Sequence, residues 1–114
     1  MANKLLSKTY NGGVNYTNAL DDATVYTVPL SNTTIMIGFT ISNLHNDLIS
    51  VSVKLKDDDA GQTVHYLKDV VINVGSSLEI MQGNKMVLNA NDEVIISSTI
   101  ANSFDAVLSL VEQT

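Results

Sequence analysis

Two stretches of this chain alternate residue by residue, and that pattern constrains the fold more than any other feature. In Thr33–Asn43, Ile35, Ile37, Phe39 and Ile41 fall on one parity, and Thr34, Met36, Gly38 and Thr40 on the other. In Ile49–Lys56, Val51, Val53 and Leu55 alternate with Ser50, Ser52, Lys54 and Lys56. A period of two belongs to an extended strand with one buried face; a helix would scatter these side chains around its circumference.

Shorter segments continue the theme. Thr24–Val28 is β-branched and aromatic and stops at Pro29, the only proline. Asp57-Asp58-Asp59-Ala60-Gly61 is a polar loop ending in glycine, suited to closing a hairpin into Thr63–Leu67. Val70–Val74 ends at Gly75-Ser76-Ser77, Leu78–Met81 near Gly83-Asn84, and Lys85–Leu88 at Asn89-Ala90-Asn91-Asp92. Glu93–Ile100 and Phe104–Glu112 form a last pair. The one helical candidate, Leu44–Leu48, is too short to matter. Seven or eight short strands with frequent turns predict an all-β antiparallel sandwich, with jelly-roll order the first choice and an immunoglobulin-like order the alternative.

Residues 24–114 make up this sandwich domain, and residues 1–23 read differently. Leu5, Leu6, Tyr10, Val14, Tyr16 and Leu20 follow neither period, among many Asn, Gly, Thr and Asp residues. We expect an extended N-terminal arm with a turn at Asn11-Gly12-Gly13. A mobile tail and a simple edge strand both stay open as alternatives.

A chain of 114 residues suffices for one core without disulfides, and it has no cysteine to form them or a thiolate metal site. The net charge of −6 argues against nucleic acid and anionic membrane as partners, because both would be repelled. Residues 1–8 are too polar for a signal-peptide core, and no apolar run approaches the roughly 20 residues of a membrane-spanning helix. Synthesis in the cytoplasm is the expectation.

Catalytic patterns are missing. No G-x-S-x-G elbow, G-x-x-x-x-G-K-[ST] loop or G-x-G-x-x-G turn is present. Gly75-Ser76-Ser77 leads from strand to strand and reads as a turn. His45 and His65 would need carboxylates such as Asp47 or Asp57 to Asp59 to hold a metal; surface imidazoles are the favoured reading. Asp57-Asp58-Asp59 lacks the spacing of an EF-hand and reads as a solvated hairpin tip. Aromatic residues are 5% of the chain and tryptophan is absent, which gives little support to a sugar-processing cleft. The expectation is a structural or binding protein, not an enzyme, with no cofactor and no metal. Apolar residues stand on both parities of Thr33–Asn43 and Glu93–Ile100. Either these strands are covered on both faces, or a second face meets another molecule.

From Val25 to Gln113 the chain resembles the small β-sandwich virion proteins of tailed phages, particularly those of marine and cyanobacterial hosts. The residues that carry the resemblance are Val25-Tyr26-Thr27-Val28-Pro29, the long strand ending in Ser42-Asn43, and Tyr66-Leu67-Lys68-Asp69-Val70. They continue with Gly75-Ser76-Ser77-Leu78-Glu79, Lys85-Met86-Val87-Leu88, Asn91-Asp92-Glu93-Val94 and Asp105-Ala106-Val107-Leu108-Ser109. Two positions depart from the pattern: Asn73, where proline is common, and Asn91, where glycine is common. The resemblance implies a non-enzymatic virion part, first a capsid decoration or cement protein that stabilises the shell, next a neck, tail or fibre component. A sugar- or Ca²⁺-binding module is a further alternative. In the first role the expected partners are the major capsid protein and further copies of the chain, as a trimer. Leu5, Leu6, Tyr10, Val14 and Tyr16 would then anchor the arm.

Overall fold

The computed structural model describes residues 3–114, so the first two residues of the expected arm lie outside it. The strands are β1 (Asn3–Tyr10), β2 (Ala23–Thr27), β3 (Thr33–Asn43), β4 (Ile49–Asp57) and β5 (Gln62–Ile72). They continue as β6 (Ser77–Glu79), β7 (Met86–Leu88), β8 (Glu93–Ser98) and β9 (Phe104–Gln113). One helical turn, α1 (Gly12–Asn15), follows β1. The first sheet runs β1-β9-β3, with β6 and β7 sharing the far edge of β3; the second runs β2-β8-β4-β5. All pairings are antiparallel.

Counting β6 and β7 as one interrupted edge strand, the pairs are nested. First meets last in β1·β9, then β2 meets β8, β3 meets β6 and β7, and β4 meets β5. This is a single long hairpin rolled into two layers, which is jelly-roll order. Inward side chains of both sheets fill the space between them: Phe39, Ile41, Phe104 and Leu108 from the first, Ile49, Val51, Val53 and Ile96 from the second. Each such side chain contributes roughly 1.5–3 kcal/mol through burial.

Two bulges alter the parity expected from sequence. In β3 the register shifts between Met36 and Gly38, so Ile37 and Gly38 together oppose Ser109. Thr34 and Met36 are therefore buried before the shift and Phe39 and Ile41 after it, whereas Ile35 and Ile37 point away from the core. Strict alternation placed all four of Ile35, Ile37, Phe39 and Ile41 together; one extra residue reverses the phase. In the second sheet, the segments 63–67 and 70–74 belong largely to one strand, β5. It bends through Asp69, whose φ of 52° is left-handed. The buried Ser52 hydroxyl accepts from the Asp69 N–H (2.9 Å) and holds the bend.

The N-terminal segment finds its partner within the chain. β1 pairs along its whole length with β9, from Asn3 opposite Gln113 to Tyr10 opposite Ala106, and forms an edge strand. At the end of β1 the backbone turns so tightly that a Cβ on Gly12 would lie 2.1 Å from the Phe104 carbonyl oxygen. Tyr16 then enters the core, its ring 4.9 Å from that of Phe104. The Tyr16 hydroxyl donates to the Asp21 carbonyl (2.6 Å), lies 3.3 Å from the Ser98 carbonyl, and accepts from the Ser98 N–H (2.9 Å). These bonds stitch the crossing from the first sheet to the second.

A second clasp joins the sheets through Tyr26 of β2. Its hydroxyl donates to Glu112 of β9 (2.6 Å) and shares a hydrogen bond with the buried Thr34 of β3 (2.8 Å). Burial, reinforced by the Glu112 carboxylate, pushes the Tyr26 phenol up to about 12. The turn before β8 is tied by Asp92, whose carboxylate accepts from the N–H groups of Asn89 (2.9 Å) and Asp58 (3.0 Å). Asn91 beside it has φ of 69°, a conformation glycine adopts freely and asparagine tolerates. Asn91 thus takes the backbone conformation that a glycine would take there.

Candidate interaction surface

The outer faces of the two sheets differ in chemistry. On the second sheet, Lys54 and Lys56 of β4 face outward and pair with Asp22 (2.9 Å) and Glu93 (3.4 Å). Ile95 of β8 shares this face, but it lies in register between Lys54 and Thr24 and is buried. That is the usual solvated side of an antiparallel sheet.

The first sheet lacks that polar cover. Register places Leu5 of β1 opposite Val111 of β9, Val111 opposite Ile35 of β3, and Ile35 opposite Val87 of β7. Residues directly opposite one another share a face. The next position inward on these strands is occupied by Leu110 and Met36, both fully buried, so the row faces out. The bulge adds Ile37, and Val107 lies farther along β9. Leu5 is 75% exposed, Val87 64%, Val107 46% and Ile37 42%. Asn3, Ser7, Thr9, Ser109 and Thr40 surround them on the same face. Its charged groups stand towards one end: Asp105, which accepts from the Gly13 N–H, and Glu79, which accepts from the N–H groups of Phe39 and Met81.

The five residues assigned to the arm separate into two groups. Leu5 belongs to the outward row, and Val14 is exposed on α1. Leu6 packs against the core, Tyr10 stacks on Phe104 with ring centroids 5.8 Å apart, and Tyr16 is interior. The sequence reading did not name Val87, Val107, Val111, Ile35 and Ile37 as contact residues. The signal was the apolar residues on both parities of Thr33–Asn43, which register turns into a surface.

Among the described residues, no group of three His, Asp or Glu side chains is placed to hold a metal ion. His45 follows β3 and donates its backbone N–H to Asn43, whereas His65 lies exposed on β5 opposite Lys54. Asp57 accepts from the Ala60 N–H within the hairpin tip, and the Asp58 N–H is held by Asp92.

No family model matches the chain, and no curated protein matches it by sequence. Solved structures do share its fold. A Bacillus endospore-appendage protein, from disulfide-linked pili, is 17% identical with a TM-score of 0.56, over 99% of this chain and 87% of its own. The acid-stable capsid of Helicobacter pylori bacteriophage KHP30 contains a chain 12% identical, TM-score 0.56, over 98% and 87%. The capsid of cyanophage Pam1 contains one 19% identical, TM-score 0.50, over 96% and 83%. At these identities the likeness is one of fold: this chain is a jelly-roll sandwich of a kind also found in phage capsids and pili.

Proposed function

We propose that this chain is a non-enzymatic structural protein of a tailed-phage virion, most specifically a capsid decoration protein that binds the outer shell and stabilises it without covalent bonds. The observation that carries the reading is the outer face of the first sheet, apolar and almost uncharged on an acidic jelly roll. Support also comes from the fold shared with phage capsid proteins and from the virion-protein motifs between Val25 and Gln113. Under this reading the chain resides in the particle, its partners are the major capsid protein and other copies of itself, and a trimer is the working stoichiometry.

The test is the quantified protein composition of purified particles, followed by heating of shells with and without this chain. Decoration predicts a copy number comparable with that of the shell protein, and shells that open at lower temperature once stripped. A copy number that is a small fraction of the shell protein's would move the chain to the neck, tail or fibre. Absence from the particle would remove the virion reading.

A further inference from the structure

We infer that the outer face of the first sheet, centred on the row Leu5–Val111–Ile35–Val87, is the contact between copies of this chain. The inference rests on reading the chain as a structural module and names the surface through which it assembles.

Charge identifies the occupant. The chain carries −6 overall, yet its acids lie mainly elsewhere: Asp22 and Glu93 on the second sheet, Asp57 to Asp59 at the β4–β5 hairpin tip. A basic partner would be drawn to those acids and would gain little at an uncharged row. Asp105 and Glu79 stand at one end of the face, and away from them the uncharged aliphatic row is best matched by another of its kind, which a second copy supplies. Contact there also keeps the acidic clusters of the two copies off the interface.

The area is sufficient. Three strands of 8, 10 and 11 residues with the short β6 and β7 beside them, at about 4.8 Å spacing, present on the order of 500 Å² of projected sheet. A standard interface buries about 800 Å² of accessible surface per partner, and protruding side chains raise the accessible area above the projected one. Sheets stack face to face through such rows in the interior of every β-sandwich.

Sedimentation equilibrium of the full chain over a concentration series, at low and high salt, tests this. The expected result is reversible self-association, first to a face-to-face dimer, that strengthens with salt, because screening relieves the mutual repulsion of like-charged copies. The double variant Leu5→Glu/Val87→Glu should associate at least tenfold more weakly while unfolding at the wild-type midpoint, since both side chains are exposed. Lys68→Glu, on exposed β5, should have a much smaller effect on association. A wild-type chain that stays monomeric up to about 1 mM, where even weak contacts register, overturns the inference. So does association that the double variant leaves intact. If the wild-type chain is monomeric yet present in particles, and the double variant is lost from them, the face docks on the shell protein instead. The inference then fails while the virion reading stands.

Discussion

Removing one oxygen atom from the interior should cost this protein a large part of its stability. The perturbation is Tyr16→Phe. The side chain is 3% exposed, and its hydroxyl receives the N–H of Ser98, itself buried, while donating to the Asp21 carbonyl. Phenylalanine preserves the packing on Phe104 but leaves the Ser98 N–H without that acceptor. An unsatisfied buried donor costs about 1–3 kcal/mol. The Asp21 carbonyl belongs to an exposed residue and regains water, so its share is small. We therefore predict a loss of about 2 kcal/mol. For 114 residues the unfolding entropy is about 0.24 kcal/mol/K, and the melting temperature should fall by about 8 °C. Urea titration should show a lower midpoint with an unchanged slope, since the surface exposed on unfolding is the same. Tyr10→Phe is the control: its ring stacks on the same Phe104, but it is only partly buried, and it should stay within about 0.5 kcal/mol of wild type. A Tyr16→Phe protein equally close to wild type would refute the idea that this hydroxyl closes the end of the sandwich.

Four other substitutions probe three separate elements. Gly12→Ala forces a Cβ against the Phe104 backbone and should cost about 2 kcal/mol or more; a wild-type unfolding midpoint would show that the α1 turn can shift without penalty. Asp92→Ala removes a carboxylate that accepts two backbone bonds and should cost about 2–3 kcal/mol, whereas Asn91→Gly should be neutral or mildly stabilising by chemical denaturation. Tyr26→Phe tests the inter-sheet clasp through pH. With the folded phenol at about 12 and the unfolded one near 10, the native state holds the extra proton between those values. The resulting stabilisation is complete below about pH 10 and is lost as pH rises towards 12. Because Tyr10 and Tyr16 are also raised, the informative quantity is the difference between wild type and Tyr26→Phe. Parallel stability curves for the two proteins through that window would rule out the Tyr26 contribution.

The fold was legible wherever one face of a strand is buried along its whole length. Val51 and Val53 of β4, and Phe104, Ala106, Leu108 and Leu110 of β9, face the core as alternation requires. Alternation misled at Ile37, because a bulge leaves no mark in a run of apolar residues, and at Asp69, where a left-handed bend resembles a turn between two strands. The pairing of β1 was hidden for another reason. An edge strand with only Leu6 and Tyr10 against the core has a weak periodic signature, and its inner positions also include Lys4 and Lys8 opposite Glu112 and Leu108. The surface was half legible. Apolar residues on both parities marked β3 and β8 alike, but Ile95 is covered within its own sheet and Ile35 and Ile37 are not. Only register distinguishes the two cases, and register depends on which distant segments meet.

The nested pairing also dictates an order of events at the ribosome. β9, the last of these strands to be synthesised, occupies the middle of its sheet with β1 on one side and β3 on the other. Until it emerges, those two earlier strands have no neighbour to join them, and half of the interior stays wet. Chain closure over the longest available separation is slow, and it leaves apolar strands bare in the meantime. Even the segments made first must wait for the final one before either layer can hold its shape.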